Sequence, residues 1–142
     1  MSNVSHLNVK MAGNLEESFP QVDPLHTAFG SRILVQYRVS KKKTAGGILL
    51  PSDTKDTEIW NTQTAKIISI GPLAFRNRQS MEPWPEGAWA QVGDYVRVPK
   101  HAGDRWQVAI PGKDQEFALF AFFNDTDLLG KCHDPLAVVA FV

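Results

Sequence analysis

Short segments in which apolar and polar residues alternate, each closed by a turn containing Gly or Pro, run through the chain from residue 32 onward. In the first of them Ile33, Val35 and Tyr37 alternate with Leu34, Gln36 and Arg38, which predicts a half-buried strand. Further strands are predicted over Thr64–Ile70, Tyr95–Pro99, Trp106–Ile110 and Gln115–Phe123. Five or six short strands without a convincing amphipathic helix indicate an all-β fold, either a small barrel or a sandwich.

Two stretches lack this alternation. Residues 1–23 mix polar and isolated apolar residues without a sustained period, so we expect an N-terminal arm that is loose in the isolated chain. Residues 72–91 contain Pro83 and Pro85 beside Trp84 and Trp89. Because proline cannot donate to a strand ladder, this segment is expected to be an excursion from the sheet and not a central strand.

Length and charge exclude several classes of protein. A chain of 142 residues suits one domain with a real core. Its 15 basic and 15 acidic residues leave no net charge, so no broad surface for nucleic acid or membrane is expected. The longest apolar runs, Phe117–Phe123 and Leu136–Val142, are far shorter than the roughly 20 residues of a membrane-spanning helix. The single cysteine, Cys132, fits the reducing cytoplasm.

No site for bond-making chemistry is visible. Cys132 and His133 are adjacent, while His6, His26 and His101 are scattered, and this is not the paired spacing of a zinc site. No Gly-x-Ser-x-Gly motif is present, and Gly46-Gly47 do not belong to a phosphate-binding loop. We therefore expect no enzyme activity, no metal and no cofactor.

The alternative function is that of a β-barrel that binds single-stranded nucleic acid. Single-stranded nucleic acid is bound by stacking aromatic side chains in a cationic groove. The candidates for stacking are Trp84, Trp89, Tyr95 and Trp106, and the candidate cations are Arg76, Arg78, Arg97 and Lys100. The competing interpretation places these aromatic residues in the core or in interfaces and the arginines on solvated strand faces.

The triplet Ile48-Leu49-Leu50 is the most informative feature. Gly46 and Gly47 precede it, Pro51 follows it, and polar residues flank both sides. A short buried strand would explain the triplet, but two glycines soften the approach and the proline prevents a longer ladder. An apolar triplet on such a tether is typical of a docking motif, and one copy is expected to bind weakly.

The sequence around this triplet resembles the mobile loop of GroES-type co-chaperonins, the ten-kilodalton chaperonin family. The resemblance is carried by the run Lys43-Thr44-Ala45-Gly46-Gly47-Ile48-Leu49-Leu50-Pro51 and continues in the family's order over about residues 24–131. The other matching blocks are Pro24-Leu25-His26, Arg32-Ile33-Leu34-Val35, Ile70-Gly71-Pro72, Val92-Gly93-Asp94-Tyr95-Val96, Lys100-His101-Ala102-Gly103 and Asp125-Thr126-Asp127-Leu128-Leu129.

The resemblance implies a small irregular GroES-like β-barrel that assembles into a homo-heptameric ring. Such a ring caps a GroEL-type chaperonin holding ATP or ADP and encloses unfolded client proteins. Carried over to this chain, Ile48, Leu49 and Leu50 would enter an apolar groove of the chaperonin, while Gly46 and Gly47 let the backbone bend. The mobile loop would cover residues 40–58, and residues 72–91 would take the place of the roof hairpin.

The chain also departs from the family pattern. Residues 27–31 are inserted before the first strand, residues 1–23 precede the family's usual start, and residues 132–142 follow the co-chaperonin domain of residues 24–131. Divergence around a retained loop resembles a bacteriophage-encoded member, which would act in the host cytoplasm.

Overall fold

The computed structural model describes residues 15–38, 63–100, 102–113 and 116–138, and within these ranges the chain is nearly all β. The elements are α1 (Leu15–Ser18), β1 (Arg32–Tyr37), β2 (Thr64–Ile70), β3 (Tyr95–Arg97), β4 (Asp104–Ala109), β5 (Phe117–Asn124) and β6 (Gly130–Lys131), with a 3₁₀ turn at Asp125–Asp127. The predicted all-β fold is confirmed, although β4 begins at Asp104, ahead of the predicted Trp106.

The six strands form one antiparallel sheet in the order β4-β5-β1-β2-β3-β6. Strand β1 lies at its centre, between β5 and β2. This arrangement agrees with a small GroES-like barrel. It also places the two ends of segment 39–62 on neighbouring strands, because β1 precedes that segment and β2 follows it.

A β-bulge in β2 changes which of its side chains share a face. Leu34 pairs with Ser69, but the next residue, Val35, pairs with Ile67, so Ile68 is the extra residue. Strict alternation would place Ile68 and Ile70 together. Instead Ile70 packs with the cluster that holds Ile67, and Ile68 packs on the other side of the sheet.

Apolar side chains cover both faces of β1. On one face a first core cluster contains Ile33, Val35, Tyr37, Ala65, Ile67, Phe75, Ala90, Val96, Val98, Ala121 and Phe123. On the other face a second core cluster contains Ala28, Leu34, Ile110, Ala118 and Phe120. The prediction that β1 is half-buried is therefore wrong, because even its polar Gln36 is 2% exposed.

The prediction of a loose N-terminal arm is wrong for residues 15–23. Phe19 is buried and packs against Tyr95, with ring centroids 5.1 Å apart. The Gln36 amide Nε2 donates a hydrogen bond of 2.8 Å to the carbonyl of Pro20. One aromatic anchor and one buried amide hold this segment on the sheet, and neither produces a periodic pattern in the sequence. Residues 1–14 lie outside the described residues.

Candidate functional site

The residues predicted to bind a chaperonin, Gly46, Gly47, Ile48, Leu49 and Leu50, lie outside the described residues. The structure does describe both roots of the segment that carries them. Tyr37, the last residue of β1, pairs with Ala65 of β2, and the Arg38 backbone N–H donates to the carbonyl of Thr64 at 3.3 Å. The described residues that flank segment 39–62 therefore lie side by side on the sheet.

The root on the β2 side is held by Gln63. Its backbone carbonyl accepts from Val98 N–H at 2.8 Å, and its side-chain Nε2 donates to the Val98 carbonyl at 3.0 Å. The Gln63 Oε1 also accepts from Arg97 Nη2 at 2.8 Å. Three hydrogen bonds thus hold Gln63, the first described residue after segment 39–62.

The root on the β1 side rests on the buried ring of Tyr37. This side chain is 1% exposed, and the Arg105 guanidinium lies 4.6 Å from the ring centroid. Within the described residues the Tyr37 hydroxyl has no hydrogen-bond partner. Burial raises the pKa of this hydroxyl to about 12, and the positive charge of Arg105 opposes the rise without cancelling it. The tyrosine is therefore an apolar support for the root and carries no charge at neutral pH.

Segment 72–91 folds back on itself and packs on the barrel through aromatic side chains. Arg76 and Pro83 form an isolated antiparallel bridge. The indole rings of Trp84 and Trp89 stack, with centroids 5.9 Å apart and planes 10° apart. Both rings pack against the first core cluster, and Phe75 is buried within it. The segment is thus an excursion, as predicted.

The buried carboxylate of Asp125 ties this segment to the 3₁₀ turn. Asp125 is fully buried and accepts a 2.6 Å hydrogen bond from the backbone N–H of Phe75. It also accepts from the Arg78 guanidinium, which is half exposed, and from the Thr126 N–H at 2.9 Å. The sequence marked residues 125–129 as a family block, but nothing in it indicated that the first aspartate is buried.

The aromatic residues proposed for nucleic-acid stacking are divided between the two faces of the sheet. Trp84 and Trp89 pack on the first core cluster, whereas Trp106 packs on the second. Trp106 Nε1 donates to the carbonyl of Pro24 at 2.9 Å. Tyr95 lies against Phe19. These four side chains therefore cannot form one stacking surface, and the geometry does not favour the nucleic-acid alternative.

The described part of the chain also bears on metal binding and membrane insertion. No cluster of three or more His, Cys, Asp or Glu side chains is found there. The His26 ring packs against Trp106 in a tilted contact, with ring centroids 4.2 Å apart, and Cys132 is a partly exposed free thiol. None of the helices in these residues is long and apolar enough to cross a membrane.

Comparisons with known proteins agree with this arrangement. The family model described as "Chaperonin 10 Kd subunit" matches residues 26–132. The chain is also 27% identical over 103 residues to the mitochondrial 10 kDa heat shock protein of Oryzias latipes, a match that covers 72% of this chain and 89% of that protein. Because the family model matches well over half of its residues, the chain belongs to the chaperonin 10 kDa subunit family, the GroES-type co-chaperonins.

Proposed function

We propose that this protein caps a GroEL-type chaperonin during an ATP-dependent cycle and encloses unfolded client proteins for folding. The family match over residues 26–132 carries the proposal, and the resemblance of residues 43–51 to the family's mobile loop supports it. In this proposal the chaperonin hydrolyses the nucleotide, and the present chain contributes binding surfaces without a catalytic site.

Docking is proposed to occur through Ile48, Leu49 and Leu50, with Gly46 and Gly47 allowing the backbone to bend. Burial of each apolar side chain contributes roughly 1.5 to 3 kcal/mol, and ordering of each loop residue costs about 1 to 2 kcal/mol. A single loop would therefore bind weakly. A homo-heptameric ring presents several loops at once, so each later contact forms at a high effective concentration.

The hydrogen bonds of the residues that flank segment 39–62 support docking through this segment. Arg38 and Gln63 are hydrogen-bonded to ordered strands, so the ends of segment 39–62 are fixed while its sequence supplies the apolar contacts. Fixed ends reduce the conformational freedom that must be lost on binding. Segment 72–91, which packs on the barrel, takes the place of the roof. Divergence from the family pattern around a retained loop leads us to propose a bacteriophage-encoded ring that acts in the host cytoplasm.

The experiment mixes the purified protein with a GroEL-type chaperonin and ATP and detects capped complexes by size-exclusion chromatography and negative-stain microscopy. Leu49→Glu should abolish capping, because a carboxylate would have to lose its hydration in an apolar groove. Leu25→Glu is the matched control, since Leu25 is a leucine of the same size that is 70% exposed and lies outside segment 39–62, and it should cap normally.

Two results would contradict the proposal. A wild-type ring that never associates with the chaperonin would exclude the capping function. A Leu49→Glu variant that loses its circular dichroism spectrum or its oligomeric mass without any chaperonin present would show that the triplet is a buried strand and not a docking motif.

A further inference from the structure

The C-terminal residues 134–138 lie at the root of the proposed docking loop and contact it through one side chain. Arg38, the last described residue before segment 39–62, donates from Nη1 to the carbonyls of Pro135 at 3.2 Å and Val138 at 2.6 Å. These acceptors follow Arg38 by 97 and 100 residues and lie beyond the family-matched region. The contact therefore joins two distant parts of the chain.

The C-terminal residues are arranged so that one guanidinium can reach both carbonyls. The Ala137 N–H donates to the Asp134 carbonyl at 3.2 Å and closes a turn, and Pro135 is buried. Just before this turn, the Cys132 N–H donates to the Tyr95 carbonyl at 2.8 Å and holds the chain on β3. A charged donor makes stronger hydrogen bonds to carbonyls than a neutral donor does.

Arg38 thereby joins three elements at one residue. Its backbone N–H closes the end of the β1–β2 pair through Thr64, and its side chain closes the C-terminal turn. We propose that residues 134–138, here called the C-terminal latch, fix the point at which the docking loop leaves the barrel, with Arg38 as the positioning residue. This inference rests on the proposed docking function of the loop.

Engagement of the C-terminal latch should favour docking of the loop. With the latch engaged, Arg38 is held by both its backbone and its side chain, so less conformational freedom is lost when the loop docks. Release of the latch should therefore weaken docking. Because coupling between two binding events is reciprocal, docking of the loop should in turn stabilise the latch.

The test compares Arg38→Gln and Arg38→Lys with Arg32→Gln in the full-length protein. Arg32 is exposed at the opposite end of the same strand, so the control makes the same change of charge away from the latch. Hydrogen exchange of the free protein is followed by mass spectrometry on peptides covering residues 132–138. Arg38→Gln should raise the exchange rate there by about tenfold, the typical scale of a coupling between sites, while Arg32→Gln should leave it unchanged. Arg38→Lys should restore part of the protection.

The second measurement is the affinity for the chaperonin in the presence of ATP. Arg38→Gln should weaken capping by about five- to tenfold with no change in ring mass. Removal of residues 134–142 should have the same effect. A variant that combines Arg38→Gln with the removal of residues 134–142 should bind the chaperonin as well as either single variant does, because both changes release the same contact.

Three different results would contradict the latch contact, its role in positioning the loop, and the proposed function. Unchanged exchange over residues 132–138 in Arg38→Gln would overturn the latch, whatever the chaperonin does. Raised exchange with unchanged capping would overturn its role in positioning the loop. Raised exchange in a protein whose wild type never binds the chaperonin would support the latch contact and overturn the proposed function.

Discussion

At the scale of single residues, the backbone at Gly71 lies directly against a second backbone segment. A Cβ atom added there would lie 2.2 Å from the Gly30 carbonyl oxygen and 2.8 Å from Phe29 C. These are backbone atoms, and the turn that holds them is fixed by hydrogen bonds from Leu73 N–H to Gly30 O and from Gly71 N–H to Arg32 O. Phe29 and Gly30 belong to the inserted residues 27–31, so in this chain the insertion packs directly against Gly71 and leaves no room there for a side chain.

We predict that Gly71→Ala lowers the free energy of unfolding by about 1 to 3 kcal/mol, the usual cost of overpacking a site that cannot relax. Gly130→Ala is the matched control, because its added Cβ would meet no atom within 4 Å, and it should change stability by less than about 0.5 kcal/mol. Urea denaturation followed by tryptophan fluorescence measures both. Equal stabilities for the two variants would contradict the proposed clash.

The buried Tyr37 hydroxyl predicts a specific dependence on alkaline pH. Its pKa is about 12 in the folded chain and about 10 in an unfolded chain. Between these values the folded state binds more protons than the unfolded state, so stability falls as pH rises from 10 to 12 and is unaffected by this group below pH 10. The full loss is roughly 2 to 3 kcal/mol at one tyrosine.

Tyr37→Phe isolates this contribution. The variant retains the ring that faces Arg105 and removes a buried hydroxyl without a partner in the described residues, so its stability at pH 8 should equal or exceed that of the wild type. Its denaturation midpoint should fall less steeply than the wild-type midpoint between pH 10 and 12. Parallel pH profiles would show that Tyr37 does not titrate with a raised pKa.

At the scale of elements, the sequence predicts regular strands well and special contacts poorly. Alternation places β1 and β2 correctly, because side chains in strands repeat every two residues, and β5 follows the predicted turn at Pro111-Gly112 as an apolar run. The bulge at Ile68 and the burial of Phe19 depend on neighbours that are distant in sequence, so no local period reveals them. The apolar triplet at residues 48–50 and its glycines stand out by composition, whereas Arg38 is indistinguishable from an ordinary charged strand end until the C-terminal turn lies beside it.

The tie between segment 72–91 and the 3₁₀ turn should depend more on Asp125 than on Arg78. Asp125→Ala leaves the buried N–H of Phe75 without its acceptor and should cost about 2 to 3 kcal/mol. Arg78→Gln removes a donor that is half exposed and should cost at most about 1 kcal/mol. Thermal unfolding measures the costs, and the emission of Trp84 and Trp89 reports whether the segment detaches. A larger effect of Arg78→Gln would contradict this ranking.

At the scale of the whole molecule, the proposed function rests on several weak contacts acting together. Gln63 and Arg38 hold the chain on either side of segment 39–62, so all subunits of the proposed ring would carry this segment at the same place on the barrel. If one engaged loop were enough for binding, a defect in one subunit would change the affinity for the chaperonin very little. If all loops act together, the free-energy losses add.

Rings assembled from mixtures of wild-type and Leu49→Glu subunits separate these two cases. Suppose that each altered loop loses about 1.4 kcal/mol, which is a tenfold loss at one site. Affinity for the chaperonin should then fall by about tenfold with each altered subunit, so three altered subunits weaken it by about a thousandfold.

Rings of defined composition are obtained by tagging one subunit type and separating the assemblies by charge, and capping is measured with ATP present. Rings of Leu25→Glu and wild-type subunits, prepared in the same way, should bind alike at every composition. A decline that is only proportional to the fraction of altered subunits would show that the loops bind independently, and the multivalent basis of capping would be wrong.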